Sequence, residues 1–154
     1  MWYKMICTIW YIRSSTQGGP MTSQDKLVLG LFGAGFWVVG TILYEFRGPH
    51  VFEGSSQRYW INFVITPLVT AVVCILLLKW RHIPAPEWSA AALLIALPGM
   101  VGEAVLLSDF ARFMPRMHPA TAGRYGAFLF ASYAVFLTIA EIVTLLASKG
   151  PIAP

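Results

Sequence analysis

Of 154 residues, 57% are apolar and 12% charged, against roughly 45–50% and 25% in ordinary soluble domains. A chain this short has a large surface for its volume, and 11 Lys or Arg with 7 Asp or Glu cannot solvate it. The net charge of +4 does not point to nucleic acid, because most basic residues stand at the ends of apolar stretches and no basic run with interleaved aromatics lies outside them.

Residues 1–26 read as an N-terminal extension. Its apolar run, residues 5–12, is too short to span a bilayer and is followed by Arg13 and a Ser/Gly-rich stretch without a small-x-small cleavage site. Residues 1–20 are expected to be an over-extended gene start. The alternative is a short interfacial segment resting Trp2, Tyr3, Trp10 and Tyr11 at headgroup level.

Four apolar stretches follow, at about residues 27–46, 59–78, 88–107 and 124–147, and their charged residues are Glu45, Glu103, Arg124 and Glu141. About 20 helical residues at roughly 1.5 Å each cross a hydrocarbon core of about 30 Å. The fold class is therefore all-α: an integral membrane four-helix transmembrane bundle over residues 27–147, with 148–154 as a C-terminal tail. Tyr44, Tyr59, Trp60 and Tyr125 fall at one interface, and Trp80 and Trp88 at the other.

The first span is rich in glycine, and Gly30 with Ala34 forms a small-x-x-x-small pair suited to helix packing inside the bundle, or to a dimer face. Gly48-Pro49 is expected to end it, glycine taking a left-handed cap. Pro67 predicts a kink in the second span near Phe63, and Pro98 beside Gly99 predicts a bend in the third. Pro86 and Glu87 suit the start of the third helix. Cys7 and Cys74 form no C-x-x-C pair, and Cys74 reads as a small apolar packing residue.

Four spans put both termini on one side. Lys and Arg divide almost evenly between the two faces, so charge does not decide the orientation. Lys79 and Arg81, crowded into the shortest expected loop, favour cytoplasmic termini.

Ionisable groups within a span are the natural place for chemistry, since each costs roughly 2.5–3.5 kcal/mol at mid-bilayer. Glu103 lies about 7 Å below one interface by helix rise, and Glu141 lies near the other, so the two do not form a dyad. Glu103 has no basic residue three or four positions away. Arg124 is its natural partner, with Arg47 second, while Asp109 and Arg112 can pair on one turn. Glu45, Arg47, Glu103, Asp109, Arg112 and Arg124 therefore form a candidate polar cluster. Its readings are a structural salt bridge, an anionic or lipid-headgroup site, or a protonatable carboxylate in a transport path. The three histidines are scattered in loops, which suggests no metal. No cofactor is indicated, and no G-x-S-x-G, H-E-x-x-H or phosphate loop supports an enzyme.

Several short motifs stand in a recognisable order. Gly40-Thr41-Ile42-Leu43-Tyr44-Glu45-Phe46-Arg47-Gly48 closes the first span, and Leu97-Pro98-Gly99-Met100 is followed by an acid. Phe110-x-x-Phe113-x-Pro115-x-Met117-x-Pro119 then leads to Gly123-x-Tyr125-Gly126-Ala127-Phe128-Leu129, with Tyr133 beyond. Over roughly residues 27–147 this resembles a family of small bacterial four-span membrane proteins classed as a domain of unknown function. The resemblance implies a fold and a compartment, a multi-pass protein of the bacterial inner (plasma) membrane, with no reaction attached. Small multidrug exporters fit less well, because they bury a glutamate in the middle of span one and Glu45 stands at its end. Quinone-reducing thiol enzymes need a C-x-x-C that is missing.

The expected function is a non-enzymatic membrane protein that binds lipid or a membrane partner, whether another copy of itself or a different membrane protein. The alternative is a proton- or ion-coupled transporter-like protein using Glu103 or Glu141.

Overall fold

The computed structural model describes residues 20–149. Four long helices dominate it: α1 (Ser23–Phe52), α2 (Ser56–Trp80), α3 (Trp88–Ser108) and α4 (Ala122–Ser148). A 3-10 turn at Ala85–Glu87 leads into α3. A single helical turn at Phe110–Phe113 and a 3-10 turn at Pro119–Thr121 join α3 to α4. All four helices are long and apolar enough to cross a membrane, and the described residues contain no strand. The readings of residues 1–19, Cys7 among them, and of residues 150–154 lie outside the described residues.

Local chemistry sets the helix ends. Thr22 and Asp25 close a capping box at the start of α1: the Thr22 hydroxyl accepts from the Asp25 N–H at 3.1 Å, and the Asp25 carboxylate accepts from the Thr22 N–H at 3.1 Å. Ser55 caps α2, its hydroxyl accepting from the Arg58 N–H. At the far end of α2, His82 donates to the Lys79 carbonyl and Ile83 to the Leu78 carbonyl, with His82 at φ 55°. This is a Schellman turn whose left-handed position, usually a glycine, holds a histidine.

The first helix does not stop at Gly48-Pro49 as expected, but continues to Phe52. Pro49 removes only its own bond to the Glu45 carbonyl, and its own carbonyl accepts from the Glu53 N–H at 3.2 Å, so the last turn still closes. Gly48 is helical and packs closely: a Cβ there would lie 2.2 Å from the Met117 sulfur. The first loop shrinks accordingly to three residues, 53–55. Pro67 and Pro98 stand inside the unbroken helices α2 and α3.

The helices pack unequally. α1 lies chiefly on α3, α2 on α4, and α3 on α4, while α1 and α2 touch little despite their short connection. The closest approach is at Gly33, where a Cβ would lie 2.0 Å from the Ile95 carbonyl oxygen. Farther along the same pair, the Trp37 indole fills the space a side chain at Gly102 would need. The α1–α3 contact thus runs through Gly33 and not through the expected Gly30, around which there is open space; Ala34 is only partly buried.

Two apolar clusters form the interior. One gathers Leu29, Cys74, Leu78, Trp88, Ala91 and Phe136 toward the terminal face. The other gathers Phe52, Phe110, Met114, Met117, Tyr125 and Phe128 toward the opposite face. The outside is apolar as well, with Leu31, Val39, Leu76 and Leu146 each about 60% exposed or more. Such a surface suits lipid as its solvent.

Candidate functional site

The weak contact between α1 and α2 leaves a cleft of about 470 Å³, walled by these two helices and floored by α3 and α4. Val39 and Leu43 on one wall and Val69 and Val73 on the other line it while remaining exposed, so its mouth opens sideways between the two spans. The depth is polar. Trp37, Thr41 and Tyr44 share one face of α1, and Asn62, Thr66 and Thr70 recur at every fourth position of α2. α3 adds Glu103, and α4 adds Tyr125, Ser132 and Tyr133.

Part of this polar lining is satisfied internally. The Tyr44 hydroxyl donates to Asn62 Oδ1 at 3.1 Å, and the Thr66 hydroxyl donates to the same oxygen at 3.0 Å. Glu103, 6% exposed, receives a long hydrogen bond of 3.5 Å from the Tyr125 hydroxyl on Oε1. The Trp37 indole faces the same carboxyl group. Trp37 Nε1, Thr41 Oγ1, Asn62 Nδ2 and Glu103 Oε2 are nonetheless buried without a hydrogen-bond partner of ordinary geometry. Four such atoms around one cavity are unusual, since each costs roughly 1–3 kcal/mol when left unmet.

The expected partner of Glu103 is elsewhere. Arg124 donates to the Phe52 carbonyl at 3.0 Å, satisfying the end of α1, and its guanidinium lies 5.7 Å from the Tyr59 ring centre. Successive helical residues diverge by about 100°, so the inward turn of Tyr125 carries Arg124 outward. Arg47 does line the cleft, but makes no ion pair with Glu103. Glu45 instead meets Arg116 at 3.9 Å, and Arg116 also lies over the Phe46 ring at 4.2 Å. Asp109 ends α3, where its carbonyl accepts from the Arg112 N–H at 3.0 Å; their side chains form no ion pair. The six-residue cluster expected from sequence is thus dispersed, and only Glu103 and Arg47 face the cleft.

Glu141 sits at the opposite end of the bundle, accepting a hydrogen bond from the Ser89 hydroxyl. Ser89 and Glu103 stand 14 positions apart on α3, about 21 Å by helix rise, which keeps the two acids separate. A second cavity, also about 470 Å³, adjoins the first at the loop 53–55 face and is lined by Arg47, His50 and Arg58. It shares Arg47, Val51, Asn62 and Thr66 with the cleft. Among the described residues no three His, Cys, Asp or Glu gather in a metal-binding set.

The polar stripe on α2 escaped the sequence reading because none of its members is charged. Its signal was the i, i+4 spacing of Asn62, Thr66 and Thr70 in an otherwise apolar helix.

Residues 51–145 match a family of unknown function (DUF5367), and the chain belongs to that family. The match begins beyond the motif at residues 40–48 and takes in those of the third and fourth spans. No curated protein and no solved structure matches the chain.

Proposed function

We propose that this member of a family of unknown function is a non-enzymatic binding protein of a bacterial inner membrane, holding an amphiphile that enters its cleft from the bilayer. One observation carries the reading: a laterally open cleft whose mouth is apolar and whose depth presents unpartnered polar atoms. In hydrocarbon an unmet polar group is costly, so a ligand that supplies its partner is stabilised by more than apolar contact alone. The apolar part of such a ligand lies along Val39, Leu43, Val69 and Val73, and its polar group reaches the depth of Trp37 and Glu103. Preformed sites for small molecules share this balance of apolar walls and a few convergent polar groups.

Trp37 reports on occupancy. Its emission, taken as the difference between the protein and Trp37→Phe, is quenched in bilayers of lipid brominated along the acyl chain if a chain enters the cleft. A Trp37 contribution untouched by brominated chains counts against the reading.

Glu103 favours a second reading, proton- or ion-coupled transport. It is a buried acid with one oxygen lacking a hydrogen bond of ordinary geometry, and the cavity of Arg47, His50 and Arg58 extends the cleft toward the membrane face. Flux in proteoliposomes that is lost with Glu103→Gln would establish it. If that variant left folding and every measured flux unchanged, the reading would be dropped. Glu141, bonded to Ser89 at a helix start, fits a structural role in either case. Self-association through α1 is a further proposal, supported by the open space around Gly30 and Gly35. Cross-linking of the reconstituted protein tests it.

A further inference from the structure

We infer that the cleft takes a hydrophobic organic monocation, its charge against the Glu103 carboxylate and its apolar groups against the surrounding aromatic rings. The inference rests on the cleft being a binding site and adds the chemical class of its occupant.

Three observations carry it. First, Glu103 is the one Asp, Glu, Lys, Arg or His side chain buried among the described residues, and its Oε2 has no hydrogen-bond partner of ordinary geometry. A carboxylate left unpaired in apolar surroundings is costly, and a cation that shares its low-dielectric site compensates the charge. Second, the protein spends its own nearby cations elsewhere. Arg124 serves the Phe52 carbonyl, Arg116 serves Glu45, and Arg47 lines the cleft without pairing to Glu103. Third, Trp37, Tyr44, Tyr125, Phe128, Tyr133 and Phe136 line the same cavity, and aromatic faces attract an organic cation where they are shielded from water.

Other ligand classes fit less well. A bare metal ion wants several oxygen or nitrogen ligands, and one carboxyl group does not provide them. An anion meets Glu103 at the depth of the site. The volume of about 470 Å³ suits a molecule of drug size, and the sideways mouth selects compounds that already partition into the bilayer.

The test uses two probes of nearly the same shape and opposite charge, tetraphenylphosphonium and tetraphenylborate, titrated against the full chain in detergent micelles. The cation is expected to bind, and the anion at least about tenfold more weakly. Glu103→Gln keeps an acceptor for Tyr125 and should weaken the cation about tenfold or more. Gly40→Trp, which builds a ring into the cleft from a position with nothing within 4 Å, should abolish binding of the cation.

Equal binding of the two probes, or preference for the borate, overturns the inference and makes Arg47 the governing charge. If Gly40→Trp then removes both probes, the cleft stands as a binding site without cation selectivity. Should neither probe bind, the inference fails; the cleft reading fails with it only if brominated chains also leave Trp37 unquenched. The comparison of the two probes needs no variant, so it holds even if Glu103→Gln does not fold.

Discussion

Replacing Gly33 by alanine puts a methyl group where the Ile95 backbone already lies. Its Cβ would stand 2.0 Å from the carbonyl oxygen, 2.8 Å from the carbonyl carbon and 3.0 Å from Cα. A relaxed carbon–oxygen contact is about 3.3 Å or longer, so α1 and α3 must separate by about 1 Å. No rotamer relieves the clash, because the obstacle is backbone. Overpacking of this kind costs about 1–3 kcal/mol, against which alanine recovers roughly 0.5–1 kcal/mol of helix propensity. The net loss is about 1–2 kcal/mol, a factor of roughly 5–30 in the folded ratio. Gly30→Ala is the matched control, since its Cβ meets nothing within 4 Å and only the propensity gain remains. Reversible unfolding of both variants in mixed micelles, followed by circular dichroism, measures the difference. Equal destabilisation by Gly30→Ala and Gly33→Ala would refute the packing of α1 on α3 and place Gly30 in a contact of its own.

Two further substitutions probe the helix ends. His82→Gly relieves a left-handed residue in the turn closing α2 and should stabilise the protein by about 1 kcal/mol in the same unfolding assay, roughly the cost of that conformation for a non-glycine residue; a loss of stability would mean that the histidine side chain is itself holding the turn. Arg124→Gln removes a charged donor from the Phe52 carbonyl and should cost about 1.5–3 kcal/mol of stability while leaving cation binding intact, whereas a selective loss of binding would restore Arg124 as the partner of Glu103.

The class of fold was legible because lipid imposes it: about 20 apolar residues in a row leave little choice but a spanning helix. The ends were less legible. Pro49 reads as a stop, yet within a final turn a proline forfeits a single hydrogen bond, which is why α1 reaches Phe52. Which glycine makes the α1–α3 contact was not legible at all. In water, the polar side of a helix reveals its orientation, but a span that is apolar all round carries no such mark, so Gly30 and Gly33 look alike until the helices are packed.

Glu103 was found from sequence because a charge inside a span is conspicuous. Its surroundings were not, for two reasons. Pairing by position at the start of the antiparallel fourth helix chose Arg124, which lies one position, and so about 100°, from the inward-facing Tyr125. The cleft itself depends on α1 and α2 standing apart, which no sequence pattern marks and which holds despite the three-residue connection the structure gives them. Chain adjacency is a weak guide to contact when α3 and α4 offer better packing to both.

The claim that the cleft holds a bilayer-derived amphiphile is met most directly by native mass spectrometry of the protein released from mild detergent. The account predicts that the unmodified chain carries a bound amphiphile and that Gly40→Trp, folded to the same extent by circular dichroism, has lost it. Equal occupancy in the two proteins would contradict the account.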